Sequence, residues 1–130
     1  MPTRVEIRHA IVDSLALVPG LKTFYQQHIS ELHASMPCAV VAFDSIDVEE
    51  DLKGNRRYIG TLAILLFQEG TDDDIDPLVD QAIAATDLAI AAPNPLGSAW
   101  VLNSIAYDHE VQPGTTGVTL TYTIWFTDDG

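Results

Sequence analysis

Nineteen acidic side chains, four histidines and one cysteine are the groups in this chain that could bind a cation or move a proton. Their spacing decides whether they do. Asp72-x-Asp74-x-Asp76 copies the first ligand positions of an EF-hand calcium loop, but Pro77 stands where that loop needs glycine and Ile83 where it needs a bidentate glutamate. The four acids between Asp72 and Asp76 are better matched to the positive end of a helix dipole, with at most a loosely held divalent ion. The stretch Asp47–Arg57, DVEEDLKGNRR, has four acids followed by three bases, and its Gly54 falls at the wrong position for a calcium loop counted from Asp47. His9, His28, His33 and His109 form no H-E-x-x-H pattern, and Cys38 sits alone in an apolar run, as a small buried hydrophobe does. There is no G-x-S-x-G, Walker or G-x-G-x-x-G sequence. With so many acids, any carboxylate pair can be nominated for acid/base work, so nominating one carries no information. The expectation is a protein without enzymatic activity, metal site or cofactor.

Charge says more. Residues 1–57 hold eight acids and all six bases, a net of −2, whereas residues 58–130 hold eleven acids and no base, a net of −11. Binding to nucleic-acid phosphates depends on Lys and Arg displacing counterions, which argues against direct DNA or RNA binding. A net charge of −13 favours solubility. It also fits a DNA mimic, or a chain that sets its few bases against the acids of its own copies. At 130 residues the chain makes about one domain, 1–130. Its longest apolar run, Leu62–Phe67, is strand-sized, and Met1–Arg4 leads straight into an amphipathic pattern. The expected compartment is the cytosol, unless the protein leaves inside a particle.

These residues need elements to hold them. Thr3-x-x-Glu6 is a capping-box pattern, and Val5, Ile7, Ala10, Ile11, Ser14, Leu15 and Val18 recur at helical spacing, predicting a helix over about 4–17. Residues 23–29 predict a weak edge strand. Pro37–Phe43 predicts a strand covered on both faces, with Tyr58–Phe67 as its partner. A second helix opens at Thr71–Pro77, with Pro77 placed in the first turn, and runs to Pro93. Strands over 100–108 and 118–126 follow, joined through 112–117. In the last, Val118, Leu120, Tyr122, Ile124 and Phe126 alternate with Thr119, Thr121, Thr123 and Trp125. The fold class is α+β: a mixed or antiparallel sheet of about four main strands, two amphipathic helices on one face, order α-β-β-α-β-β plus the weak edge strand. The Thr/Trp face is expected to look outward, where Trp125 would mark an interface.

Four segments resemble the bacteriophage tail terminator family, the group of the lambdoid minor tail protein U. Glu6–Leu15 is similar to its opening helix, E-x-R-x-A, an aliphatic pair, then D-x-L. Met36–Phe43 is similar to its P-A-V-A-V strand and is followed by an acidic excursion. Leu62–Gln81 matches a strand and an aspartate-rich helix start, and Tyr107-Asp108 with Leu120–Phe126 its closing strand. Residues 19–35 and 92–99 have no counterpart, and Thr127–Gly130 looks like an extension. The resemblance implies a structural protein of the virion, assembled in the host cytoplasm. Six copies would ring the end of a finished tail tube, stop its growth and offer the head a docking surface. Its partners would be itself, the tube protein and a head completion or connector protein, with DNA passing through the ring.

Heterologous ring contacts set one patch against a different one. The candidate interface residues are Lys53, Arg56 and Arg57 with Asp47, Glu49, Glu50 and Asp51 of the hairpin, Arg4 and Arg8 of the first helix, Asp72, Asp73 and Asp74 of the second, and Trp125. Alternatives from other classes are an acidic DNA-mimic inhibitor, another head-tail connector component and a small metal-dependent hydrolase. Six copies carry 6 × −13 = −78 formal charges, so ring formation should rise with salt or a divalent cation. Light scattering that shows a monomer–ring balance indifferent to both would contradict this electrostatic account.

Overall fold

Alternation of apolar and polar residues from Val118 to Phe126 requires a sheet with one dry face. The computed structural model, which describes residues 4–24, 37–91 and 99–127, has that sheet. Among the described residues the elements are α1 (Arg4–Leu15), β1 (Lys22–Phe24), β2 (Cys38–Glu50), β3 (Arg56–Glu69), α2 (Asp72–Ile90), β4 (Ala99–Gln112) and β5 (Thr115–Phe126). The sheet runs β1-β2-β3-β5-β4, antiparallel throughout except that β1 lies parallel to β2. Both helices pack on one face, so the class is α+β.

The alternation on β5 sorts as its pattern dictates. Val118, Leu120, Tyr122, Ile124 and Phe126 are all buried and meet Leu62, Ile64 and Leu66 of β3, Ile7, Ile11 and Leu15 of α1, and Ile75, Val79 and Ile90 of α2 in one core. Each side chain of this size contributes about 1.5–3 kcal/mol by leaving water. Ser14 sits among them because its hydroxyl donates to the Ala85 carbonyl at 2.7 Å and ties the helices together. On the opposite sheet face Cys38, Val40 and Phe67 form a smaller apolar cluster with Leu65 and Val111. The start of β2 is therefore buried on both faces, as its unbroken apolar run predicts.

Several expectations need correction. Val5 is 49% exposed, because the packed stripe of α1 is Ile7, Ile11, Val12 and Leu15. The helix stops at Leu15 rather than 17, tightening into turns in which Leu17 N–H reaches Ser14 O and Val18 N–H reaches Leu15 O. The expected Thr3 cap lies outside the described residues. Pro77 is in the second turn of α2, not the first, since the helix begins at Asp72. It offers no N–H to the Asp73 carbonyl, but both residues are exposed, so water can replace that bond. The edge strand is β1, shorter than expected, and residues 25–29 of that expectation lie outside the described ones. Trp125 and the threonines beside it are half-buried rather than outward and bare. β5 is an interior strand, and Trp125 has Ile59 and Ala99 as neighbours on its two sides.

Gly60 is required by close packing. A Cβ there would come within 2.7 Å of the Phe43 ring and 3.2 Å of the Phe126 ring. Phe126 stacks on Tyr58 at 5.5 Å and lies 6.1 Å from Phe43, and the Arg8 guanidinium sits 6.0 Å over Phe43. Overpacking of this kind costs about 1–3 kcal/mol. Gly60→Ala should therefore lower the unfolding free energy by that amount, read as a lower urea midpoint with an unchanged m-value.

Candidate functional site

The long strands β2 and β3 outrun the helices, and their distal halves form an arm. From Asp44 to Arg57 most side chains are exposed, including Val48 and Leu52. The arm is more ordered than a solvated loop. Asp47, Glu49 and Glu50 belong to β2, and Arg56 and Arg57 to β3, so the tip shrinks to Asp51–Asn55. There Asp51 organises the chain: its Oδ1 accepts from the Lys53 N–H at 2.8 Å and the Asn55 N–H at 3.0 Å, and its Oδ2 from the Asn55 side-chain amide at 3.1 Å. Gly54 N–H closes the turn on the Asp51 carbonyl at 3.1 Å, and Gly54 takes the left-handed φ of 83° that the turn needs. The donors from Asn55, then the Lys53 N–H, hold the Asp51 carboxyl below its ordinary range.

Next to the tip, Arg56 Nε lies 3.3 Å from Glu50 Oε2, its cross-strand neighbour. That contact, with a further contribution from Tyr58, raises the Arg56 pKa. Arg56 thus has a partner in its own chain. Arg57 stands across from Glu49 but makes no ion pair among the described residues. Glu49, Glu50, Asp51, Asn55, Arg56, Arg57 and Thr127 line a shallow groove of about 400 Å³. Arg8 is committed to the Phe43 ring, and Arg4 lies exposed at the start of α1 with a contact of its own.

The acidic helix start is also organised. Asp74 accepts from the Thr71 N–H at 2.8 Å and caps α2. Gly70, at φ 110°, leaves room for that carboxylate, which a Cβ would meet at 2.1 Å. Asp72 Oδ1 lies 2.7 Å from His109 Nε2, and Tyr107 OH donates to Asp76 Oδ1 at 2.5 Å. The two rings stack at 6.2 Å. Period two on β4 meets period four on α2, so alternate strand residues bond successive helical turns. The sequence carried this clip as Tyr107-x-His109 against Asp72-x-x-x-Asp76, a pattern that has meaning only once the two elements are known to be adjacent. Asp73, with Asp72, His109 and the turns at Gly70 and Gly114, lines an open groove of about 530 Å³.

Arm tip and helix start do not converge. They lie at opposite ends of β3, which at about 3.4 Å per residue puts them roughly 45 Å apart. Among the described residues no group of three or more His, Cys, Asp or Glu side chains is placed to hold a metal ion. Cys38 is fully buried, and burial pushes its thiol up to about 11. Among the described residues no helix is long and apolar enough to cross a membrane. No protein-family model matches the chain, and no curated protein matches it. What the fold and site define is an α+β domain with an arm of mixed charge at one end and an acidic helix start at the other.

A depressed carboxyl pKa gives order that is complete above the unfolded value of 3.8 and is lost as pH falls through the folded one. The protection of the Lys53 and Asn55 amides, taken relative to the intrinsic exchange rate at each pH, should therefore be present at neutral pH and lost in acid. Asp51→Ala should lack that protection at every pH. Protection unchanged by the substitution would remove Asp51 from this role.

Proposed function

We propose that this protein is a structural component of a bacteriophage or prophage, which caps a completed tail tube as a six-membered ring. The ring stops tail growth and gives the head its attachment surface. The observation that carries this reading is the separation of charge within one chain. Lys53 and Arg57 stand on the arm, and Asp72, Asp73 and Asp76 stand at the far end of the sheet. The two sets cannot meet inside one molecule, and although Asp72 and Asp76 also hold His109 and Tyr107, a neighbouring copy can set the arm bases against this acidic end. A cyclic ring provides them, because each copy offers one patch to a neighbour and a different patch to the next.

The sequence resemblance supports the same reading, since its segments fall on α1, β2, β3 with α2, and β4 with β5. The tube protein and a head completion or connector protein are the further partners. DNA passes through the channel without being bound, as a chain of net −13 favours. A DNA mimic accounts for the acids but leaves the ordered arm without a task.

Negative-stain images of the purified protein should show six-fold rings with a central hole. Lys53→Glu with Arg57→Glu should abolish rings or tail joining and leave the circular dichroism spectrum unchanged. Arg56 is left alone in this test, because a glutamate there would face Glu50 and weaken the arm itself. A double reversal that assembles normally would show that the arm bases make no assembly contact.

A further inference from the structure

β4 is an edge strand of fourteen residues, and among the described residues no strand pairs with it on the side away from β5. Edge strands of soluble proteins are usually short, or blunted by lysine, proline or inward charge, because their unpaired N–H and C=O groups recruit another strand. Ala99–Tyr107 has no lysine, no proline and no charge at all. Val101, Ile105 and Tyr107 are 48%, 43% and 43% exposed along it. The other side of the sheet has an opening too. β1 covers β2 only from Cys38 to Val40, and among the described residues nothing pairs with the outer side of β2 from Val41 to Glu50.

We infer that β4 of one copy pairs with the distal part of β2 of the next, antiparallel, so that one sheet continues from copy to copy. This rests on the ring reading and names the contact that would build the ring.

Direction, shape and charge agree on that joint. β2 and β4 run in opposite directions within one sheet, so a second copy set beside the first with its arm pointing the same way brings its β2 antiparallel to β4. A rotation axis keeps all arms pointing one way. The row Phe43, Leu62, Tyr122, Leu102 crosses four strands, and each outer strand carries a bulge beside it, at Asp44 in β2 and at Asn103 in β4. Two edges bent at the same height can meet along their length. A level joint sets Asp44 and Asp47 against the uncharged stretch near Ala99–Leu102, away from Asp108 and Glu110. A parallel joint would bring these acids together, at a cost.

The test uses Ser45 and Val101, which share a row and a face through Thr61 and Thr123. Two proteins are made in a Cys38→Ala background, one with Ser45→Cys and one with Val101→Cys. Each is checked for folding by circular dichroism, and they are mixed under ring-forming salt with a bis-maleimide that spans about 10 Å, enough for a stagger of two residues. The mixture should give the mixed covalent dimer in excess over either homodimer. In the unaltered protein, amide exchange over 100–106 and 42–47 should slow by roughly tenfold or more when copies associate. Dimers of the Val101→Cys protein alone would mean that β4 pairs with itself, which overturns the inference. Rings seen by electron microscopy with neither mixed link nor new protection would overturn it and leave the ring reading standing. Mixed links in open filaments would leave the edge contact standing and overturn the ring.

Discussion

Every other element takes its place from β3, which is paired along both sides at once. From Tyr58 to Phe67 each residue faces β2 on one side and β5 on the other, so no residue of β3 can slip without breaking two ladders. A one-residue slip would also turn Leu62, Ile64 and Leu66 out of the core. With that register fixed, the buried face of β5 is fixed as well. The helices then cover the only face where Tyr122 and Phe126 need cover. Tyr122 is fully buried with its hydroxyl 3.3 Å from Asp87 Oδ1, and burial together with that carboxylate pushes its pKa upward.

Freedom remains only at the outer strands, and both use it in the same way. β2 and β4 each take a bulge next to the Leu62–Tyr122 row, which changes the phase of the side chains beyond it. In β2 the phase change lets Ile46 and Val48 follow Phe43 on the helix side while Asp47 and Glu49 take the other face. In β4 it brings Tyr107 over α2, where the clip to Asp76 forms. The acids and bases are therefore sorted by strand geometry before any partner is present. Their Coulomb energy within one chain is small, because the ends of β3 are separated by several Debye lengths at physiological salt.

Much of this was legible from sequence where a period was long and clean. The alternation in Val118–Phe126 predicted its buried face residue by residue, and helical spacing of Ile75, Leu78, Val79, Ala82, Ile83, Thr86 and Ile90 predicted the packed side of α2, where Ile83 alone is half-buried. Strand ends were less legible. Asp47–Glu50 and Arg56–Arg57 look like loop by composition, yet pair as strand because the turn at Asp51–Asn55 sets their register. Pro77 was misplaced by one turn because the Asp74 cap, an aspartate where glutamate or glutamine is usual, starts the helix earlier than proline alone suggests. The His109–Asp72 and Tyr107–Asp76 bonds needed tertiary adjacency that no local spacing encodes.

On the proposed reading, an acidic chain with a fixed central register, and with two strand edges open among the described residues, meets copies of itself in one direction. Native mass spectrometry of the purified protein, sprayed from concentrated ammonium acetate to screen its charge, tests this most directly. The account predicts a dominant species at six times 14.2 kDa, with the monomer as the main lesser species as salt is lowered. A mass that stays at one or two chains at every salt and protein concentration would contradict it.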